Sequence, residues 1–134
     1  MTYVLDTNVV SGLMRGDESS VRSLAATNPN DVFIPHPVVA EIRYGLARLP
    51  RSRRRSTLVT RADALFAAIK RVPWTDDVSD HFGSTKADLE RRGVRLEDMD
   101  VIIAAHALSM SATLVTRNVR QLARVRGLVI ETWA

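Results

Sequence analysis

The chain of 134 residues contains no cysteine, which removes disulfide scaffolds, zinc–thiolate centres and thiol nucleophiles together. Lysine is scarce as well, since only Lys70 and Lys86 are lysines among nineteen basic residues. Six glycines form neither GxGxxG nor GxxxxGK[ST], which argues against dinucleotide and nucleoside-triphosphate cradles. The three histidines, His36, His81 and His106, share no ligand spacing, so a zinc hydrolase is disfavoured. No long apolar run occurs. The longest uncharged stretch, Val101 to Thr116, holds His106 and several hydroxyl residues, and is too short and too polar to span a bilayer. The first residues meet Asp6 at once and lack the basic flank of a secretory signal. A cytoplasmic protein with no membrane partner is expected.

What is present fits one globular domain over residues 1–134: 46% apolar and 25% charged, long enough to bury a core without covalent or metal staples. The net charge is +4, and seventeen of the basic residues are arginine, a side chain that forks onto phosphates and carboxylates. Five of them, Arg48, Arg51, Arg53, Arg54 and Arg55, fall within eight residues. Taken alone, such a cluster reads as a solvated helix start.

Residues 3 to 5 form a short β-prone run that stops at Asp6-Thr7-Asn8, where Thr7 or Asn8 can cap a helix through Met14. The same alternation recurs down the chain. Helices are expected over 18–26, from Pro37 to Leu49, over 51–70, from Asp76 or Asp77 to a C-cap at Gly93, over 101–108 and over 118–123. Strands are expected at 32–34, at Val72, at 113–115 and at 128–130. The pattern predicts an α/β domain with a central, mainly parallel sheet flanked by helices on both faces.

In such a sheet, ligands bind beyond the carboxyl ends of the strands. Asp6 follows the first strand, Glu41 lies one turn into the helix after the second, and Asp100 opens the apolar helix at 101–108. Thr116, Asn118 and Gln121 follow the strand at 113–115, while Gly45 on the Glu41 helix would let another element approach. Each acid has an ordinary reading, as a cap for Asp6 and Asp100 or a solvated helix residue for Glu41. Together they are harder to explain. Three carboxylates in one folded edge repel each other and lose hydration, a cost that a divalent cation relieves. All-oxygen ligands suit Mg2+ or Mn2+, and phosphoester hydrolysis is the chemistry that follows. Trp74 and Trp133 read as packing anchors. A receiver-type signalling domain shares the architecture and the acidic pocket, but it needs a lysine after its last strand, where this chain has Glu131-Thr132-Trp133-Ala134.

The segments Val4-Leu5-Asp6-Thr7-Asn8-Val9, Val39-Ala40-Glu41-Ile42-Arg43-Tyr44-Gly45, Asp100 to Leu108, and Leu114-Val115-Thr116-Arg117-Asn118 with Gly127-Leu128 stand in order over nearly the whole chain. In this arrangement the sequence resembles the PIN-domain ribonucleases, specifically toxins of the VapC type from bacterial toxin–antitoxin pairs. The resemblance implies a metal-dependent endoribonuclease in which Asp6, Glu41 and Asp100 are catalytic and hold Mg2+ or Mn2+, leaving a 5′-phosphate and a 3′-hydroxyl. Thr7, Asn8, Thr116, Asn118 and Gln121 would be supporting residues. Arg15, Arg43, Arg48 and Arg117, neighbours of the motifs, are candidates for RNA contact. The implied partners are an RNA substrate and a cognate antitoxin, with a homodimer and a hetero-oligomer with antitoxin as assemblies. The family's frequent fourth acid is replaced by neutral Asn118 or Gln121. That departure keeps open an alternative, a catalytically weak or inactive PIN-like scaffold that binds RNA or protein.

Overall fold

The computed structural model describes residues 1–134. Five strands, β1 (Tyr3–Leu5), β2 (Val32–Pro35), β3 (Lys70–Val72), β4 (Thr113–Val115) and β5 (Val129–Glu131), form one sheet in the order β3-β2-β1-β4-β5. Every neighbouring pair is parallel, with Leu5 opposite Val115, Val4 opposite Phe33 and Leu114 opposite Ile130. A parallel pair needs a crossover, and helices supply it: α1 (Thr7–Arg15), α2 (Glu18–Ala25), α3 (His36–Ala47), α4 (Arg53–Ala68), α5 (Asp76–Arg91), α6 (Asp98–Ser109) and the short α7 (Val119–Leu122).

The central strands are apolar because both faces are covered. Val4, Leu5, Val32, Ile34, Leu114 and Val115 are fully buried, and each contributes about 1.5–3 kcal/mol by leaving water. The strands at the two edges are partly exposed. Helix α6 is the counterpart of β1: Val101, Ile103, Ala104, Ala105, His106 and Ala107 are all buried. Its lack of a polar face is what a helix enclosed by neighbours requires. No helix is long and apolar enough to cross a membrane.

Local signals set most boundaries. Gly16 and Gly93 adopt left-handed backbone after α1 and α5, as C-terminal stops do. Ser52 accepts a hydrogen bond from the Arg55 amide at the start of α4, and Thr75 one from the Val78 amide at the start of α5. Some expectations shift. The cap of α1 is Asp6, whose side chain accepts from the Thr7 amide, so Thr7 and Asn8 are already helical. The helix expected to reach Lys70 stops at Ala68, and Lys70 begins β3, where Phe33 of β2 pairs with it. Trp133 is buried in the core beside Tyr3. Trp74 is half-exposed, donates to Ser79 Oγ at 2.7 Å and sets its ring edge-on to His106.

Candidate active site

The first two crossovers carry the chain from β1 through β2 to β3 on one side, and the third returns it to β4 on the other side of β1, so the order of strands reverses between β1 and β4. Beyond the carboxyl ends of two such strands a crevice opens, because their following segments turn away in opposite directions. Asp6 follows β1 and Thr116 follows β4, and the two meet there. Asp6 is 4% exposed; its Oδ1 accepts from the Thr7 amide and its Oδ2 from the Thr116 hydroxyl, both at 2.7 Å. Burial pushes the Asp6 carboxyl above the ordinary range, against the pull of these two donors.

Thr116 is a fully buried hub. Its oxygen also accepts from the Asn118 amide at 2.9 Å and from Asn8 Nδ2 at 3.4 Å, while Asn8 Oδ1 accepts from the Arg117 amide at 3.1 Å. The β4–α7 loop is thereby knitted to the first turn of α1. Glu41, in the second turn of α3, accepts from the Thr7 hydroxyl at 2.5 Å. Thr7 thus touches two acids, Asp6 through its amide and Glu41 through its hydroxyl.

Asp100 lies in the first turn of α6 and is half-buried. Its carboxyl is pushed up to about 6 by burial, and further by the charges of Asp6, Glu97 and Glu41. The three expected acids therefore share one electrostatic field, although they come from different helices or their caps. As they stand they do not form a chelating group. Asp6 is held in place by Thr116 and the Thr7 amide, and Glu41 by the Thr7 hydroxyl. The donor set still suits a hard divalent cation: it is all oxygen and partly desolvated, and burial raises the proton affinity of two of its carboxylates, Asp6 and Asp100.

Other expected residues are divided. Thr7, Asn8 and Thr116 join the network through side chains, and Asn118 through its backbone amide. Gln121 is exposed on α7 and makes no side-chain hydrogen bond to the acids. Arg43 pairs with Asp63 at 2.8 Å and lies over the Phe66 ring, so it faces α4. Arg117 is bound to Asp17, which also pairs with Arg15 at 3.3 Å. Arg48 stacks over Tyr44.

Two features escaped the sequence reading. Glu97 supplies the additional acid near Asp100, from the turn before α6 and not from the loop after β4. Its spacing three residues ahead of Asp100 was the available signal. The other feature is a groove between α1, α3 and α4 that begins at Thr7 and Glu41. Gly45 opens onto it: a Cβ there would meet nothing within 4 Å, so no element of this chain makes the close approach expected at that glycine.

The pattern described as the PIN domain matches residues 3–128. Among curated proteins, the chain is similar to Ribonuclease VapC2 of Rickettsia felis, with 27% identity over 135 residues covering 99% of this chain and 98% of that one. It is also similar to the tRNA(fMet)-specific endonuclease VapC of Shigella flexneri, with 27% identity over 134 residues covering 100% and 99%. Among solved structures, VapBC2 from Rickettsia felis bound to a DNA fragment from its promoter superposes with a TM-score of 0.90 at 25% identity, over 100% of both chains. FitAcB from Neisseria gonorrhoeae does so at 0.86 and 25% identity, over 96% of each.

Proposed function

Because this chain belongs to the PIN-domain family, we propose that it is a divalent-metal-dependent endoribonuclease, the toxin of a toxin–antitoxin pair acting in the cytoplasm. One observation carries the chemistry: the Asp100 carboxyl is pushed up to about 6 by burial, and further by the charges of Asp6, Glu97 and Glu41, at the switch point of the sheet. Structural ion-pair networks usually lower carboxyl pKa values, whereas an acid raised by burial beside other acids in a crevice is a candidate site for a positively charged ligand. The relatives named as ribonucleases support RNA as the substrate, and the solved VapBC complex supports an antitoxin partner.

Asp6, Glu41 and Asp100 would hold Mg2+ or Mn2+. Such a cation, when bound, supplies positive charge to phosphate oxygens and makes a water acidic enough to attack. The chain does the rest by position. Thr116 and the Thr7 amide fix both oxygens of Asp6, so that carboxylate is presented in one orientation. The Thr7 hydroxyl occupies Glu41 Oε1, leaving Oε2 to take a proton from the attacking water. The water oxygen bonds to phosphorus as the bond from phosphorus to the 3′-oxygen breaks; the departing oxygen takes a proton from solvent, leaving a 5′-phosphate and a 3′-hydroxyl. Buried hydroxyls and amides that are already oriented cost no reorganisation during the step.

The test is incubation of total cellular RNA with the purified chain in Mg2+, Mn2+ or EDTA, beside Asp100→Asn, with product ends sequenced. Discrete metal-dependent cuts that vanish in the variant are expected. Identical profiles in all lanes from folded protein would overturn the reading and favour a non-catalytic scaffold.

A further inference from the structure

Resting on the ribonuclease reading, we infer that the groove between α1, α3 and α4 is the channel for single-stranded RNA beside the cut, with Tyr44 as the platform for one unstacked base. The cavity holds about 350 Å³, at the lower end of pockets that accept organic ligands of moderate size. Glu41, Tyr44, Gly45 and Arg48 follow one another at helical spacing along one face of α3, over a rise of about 10 Å. Thr7 and Glu41 belong to both the groove and the acidic site, so a polymer lying in one leads directly into the other.

Three observations identify the occupant. Tyr44 is 67% exposed, so much of its ring is bare although the Arg48 guanidinium lies over it, 5.7 Å from the ring centre. A planar cation beside an aromatic ring is a surface on which any nucleobase can stack. The rim carries Arg48 and Arg54, neither paired with a carboxylate, and Arg15, whose only ion pair is the half-exposed one with Asp17. Their charge is therefore available to phosphates. Gly45 lies in the last turn of α3, where glycine still costs up to about 1 kcal/mol relative to alanine, yet no part of this chain fills the space it leaves. That space, on the face of α3 that lines the groove, is the room a base edge needs. An apolar floor of Ile42, Leu46 and Leu58 would accept a peptide too. Continuity with the acids and unneutralised guanidiniums favour an anionic chain whose next unit must reach Asp6 and Asp100. A duplex keeps its bases stacked inward and cannot use such a platform.

The experiment measures fluorescence anisotropy of a labelled pyrimidine oligoribonucleotide of about ten nucleotides, in EDTA so that nothing is cut, with the full chain and its variants. Tyr44→Leu should weaken binding by about tenfold, since stacking on an aromatic is worth that much or more, and Tyr44→Phe should restore it. Gly45→Ala should weaken binding while raising the melting temperature, a combination that a purely structural glycine does not give. Cleavage assays with Mn2+ should show the same variants raising KM more than they lower kcat. RNA affinity unchanged in Tyr44→Leu and Gly45→Ala overturns the inference, whether or not those variants lose a protein partner. Binding that follows these expectations without any cleavage supports the channel and defeats the nuclease reading alone.

Discussion

At the scale of single residues, the acidic site shows what function demands of stability. Asp100 titrates at about 6 in the folded chain, against an ordinary value of 3.8. The folded state therefore binds that proton more tightly, and the sign follows from linkage. Its stabilising effect is fully present below the unfolded value and is lost as pH rises through about 6. At neutral pH the ionised group opposes folding, by about 1 kcal/mol once solvent screening at a half-buried position is allowed for. Asp100→Asn should accordingly raise the melting temperature of the cation-free protein by a few degrees near neutral pH, and leave it unchanged well below the unfolded carboxyl value. His106 moves the other way, since burial lowers its imidazole to about 4, but it is present in both proteins and cancels in the comparison. Calorimetry of the pair across that pH range checks the prediction. An equal melting temperature at neutral pH would mean that neither burial nor the neighbouring acids raise the Asp100 carboxyl in the folded chain.

At the scale of elements, the loop after β4 is fastened to α1 by a clasp that begins at Gly12. A Cβ at that position would lie 2.7 Å from Arg117 Nη2 and 2.8 Å from Asp17 Oδ2, so glycine is what allows Arg117 to cross α1 and reach Asp17. The same loop delivers Thr116 to Asp6. Gly12→Ala should relieve the helix of about 1 kcal/mol of glycine penalty while displacing an exposed ion pair worth no more than that. Thermal stability should be nearly unchanged, and cleavage should fall several-fold because Thr116 is less firmly held. Full activity in Gly12→Ala, measured beside its melting curve, would show that the clasp does not position the loop. Elements themselves were readable from the sequence because their causes are local: Gly93 stops a helix, Pro37 stands at the start of α3, and short, largely apolar runs mark the buried strands. The clasp was not readable. Arg117 and Asp17 are 100 positions apart, and nothing near Arg117 distinguishes an arginine committed to an ion pair from one awaiting phosphate. Arg43 illustrates the same limit, since its partner Asp63 belongs to the next helix.

At the scale of the whole molecule, the acids were legible as a set because parallel sheets place ligands at one edge: Asp6 follows a strand, Glu41 lies in the helix after the next strand, and Asp100 lies in the first turn of α6. What stayed hidden was their state, because burial and the joint field of several carboxylates exist only once β1, α3 and α6 are brought together. The groove was hidden for the same reason: its walls come from three helices. The molecule thus keeps buried, mutually repelling carboxylates at the candidate site while the core of β1, β4 and α6 supplies the stability that tolerates them. A ligand that binds only the folded state stabilises it by mass action, about 2.7 kcal/mol at a hundredfold excess over its Kd. Mn2+ should therefore raise the melting temperature of the natural chain in a concentration-dependent way. It should do so far less in Asp100→Asn, even though that variant starts higher. The crossing of the two titrations is the informative feature: it is the result expected if the acids lower stability without a cation and raise it with one. Parallel titrations would mean that Mn2+ acts elsewhere on the surface, and that the crowding at Asp100 serves something other than a cation.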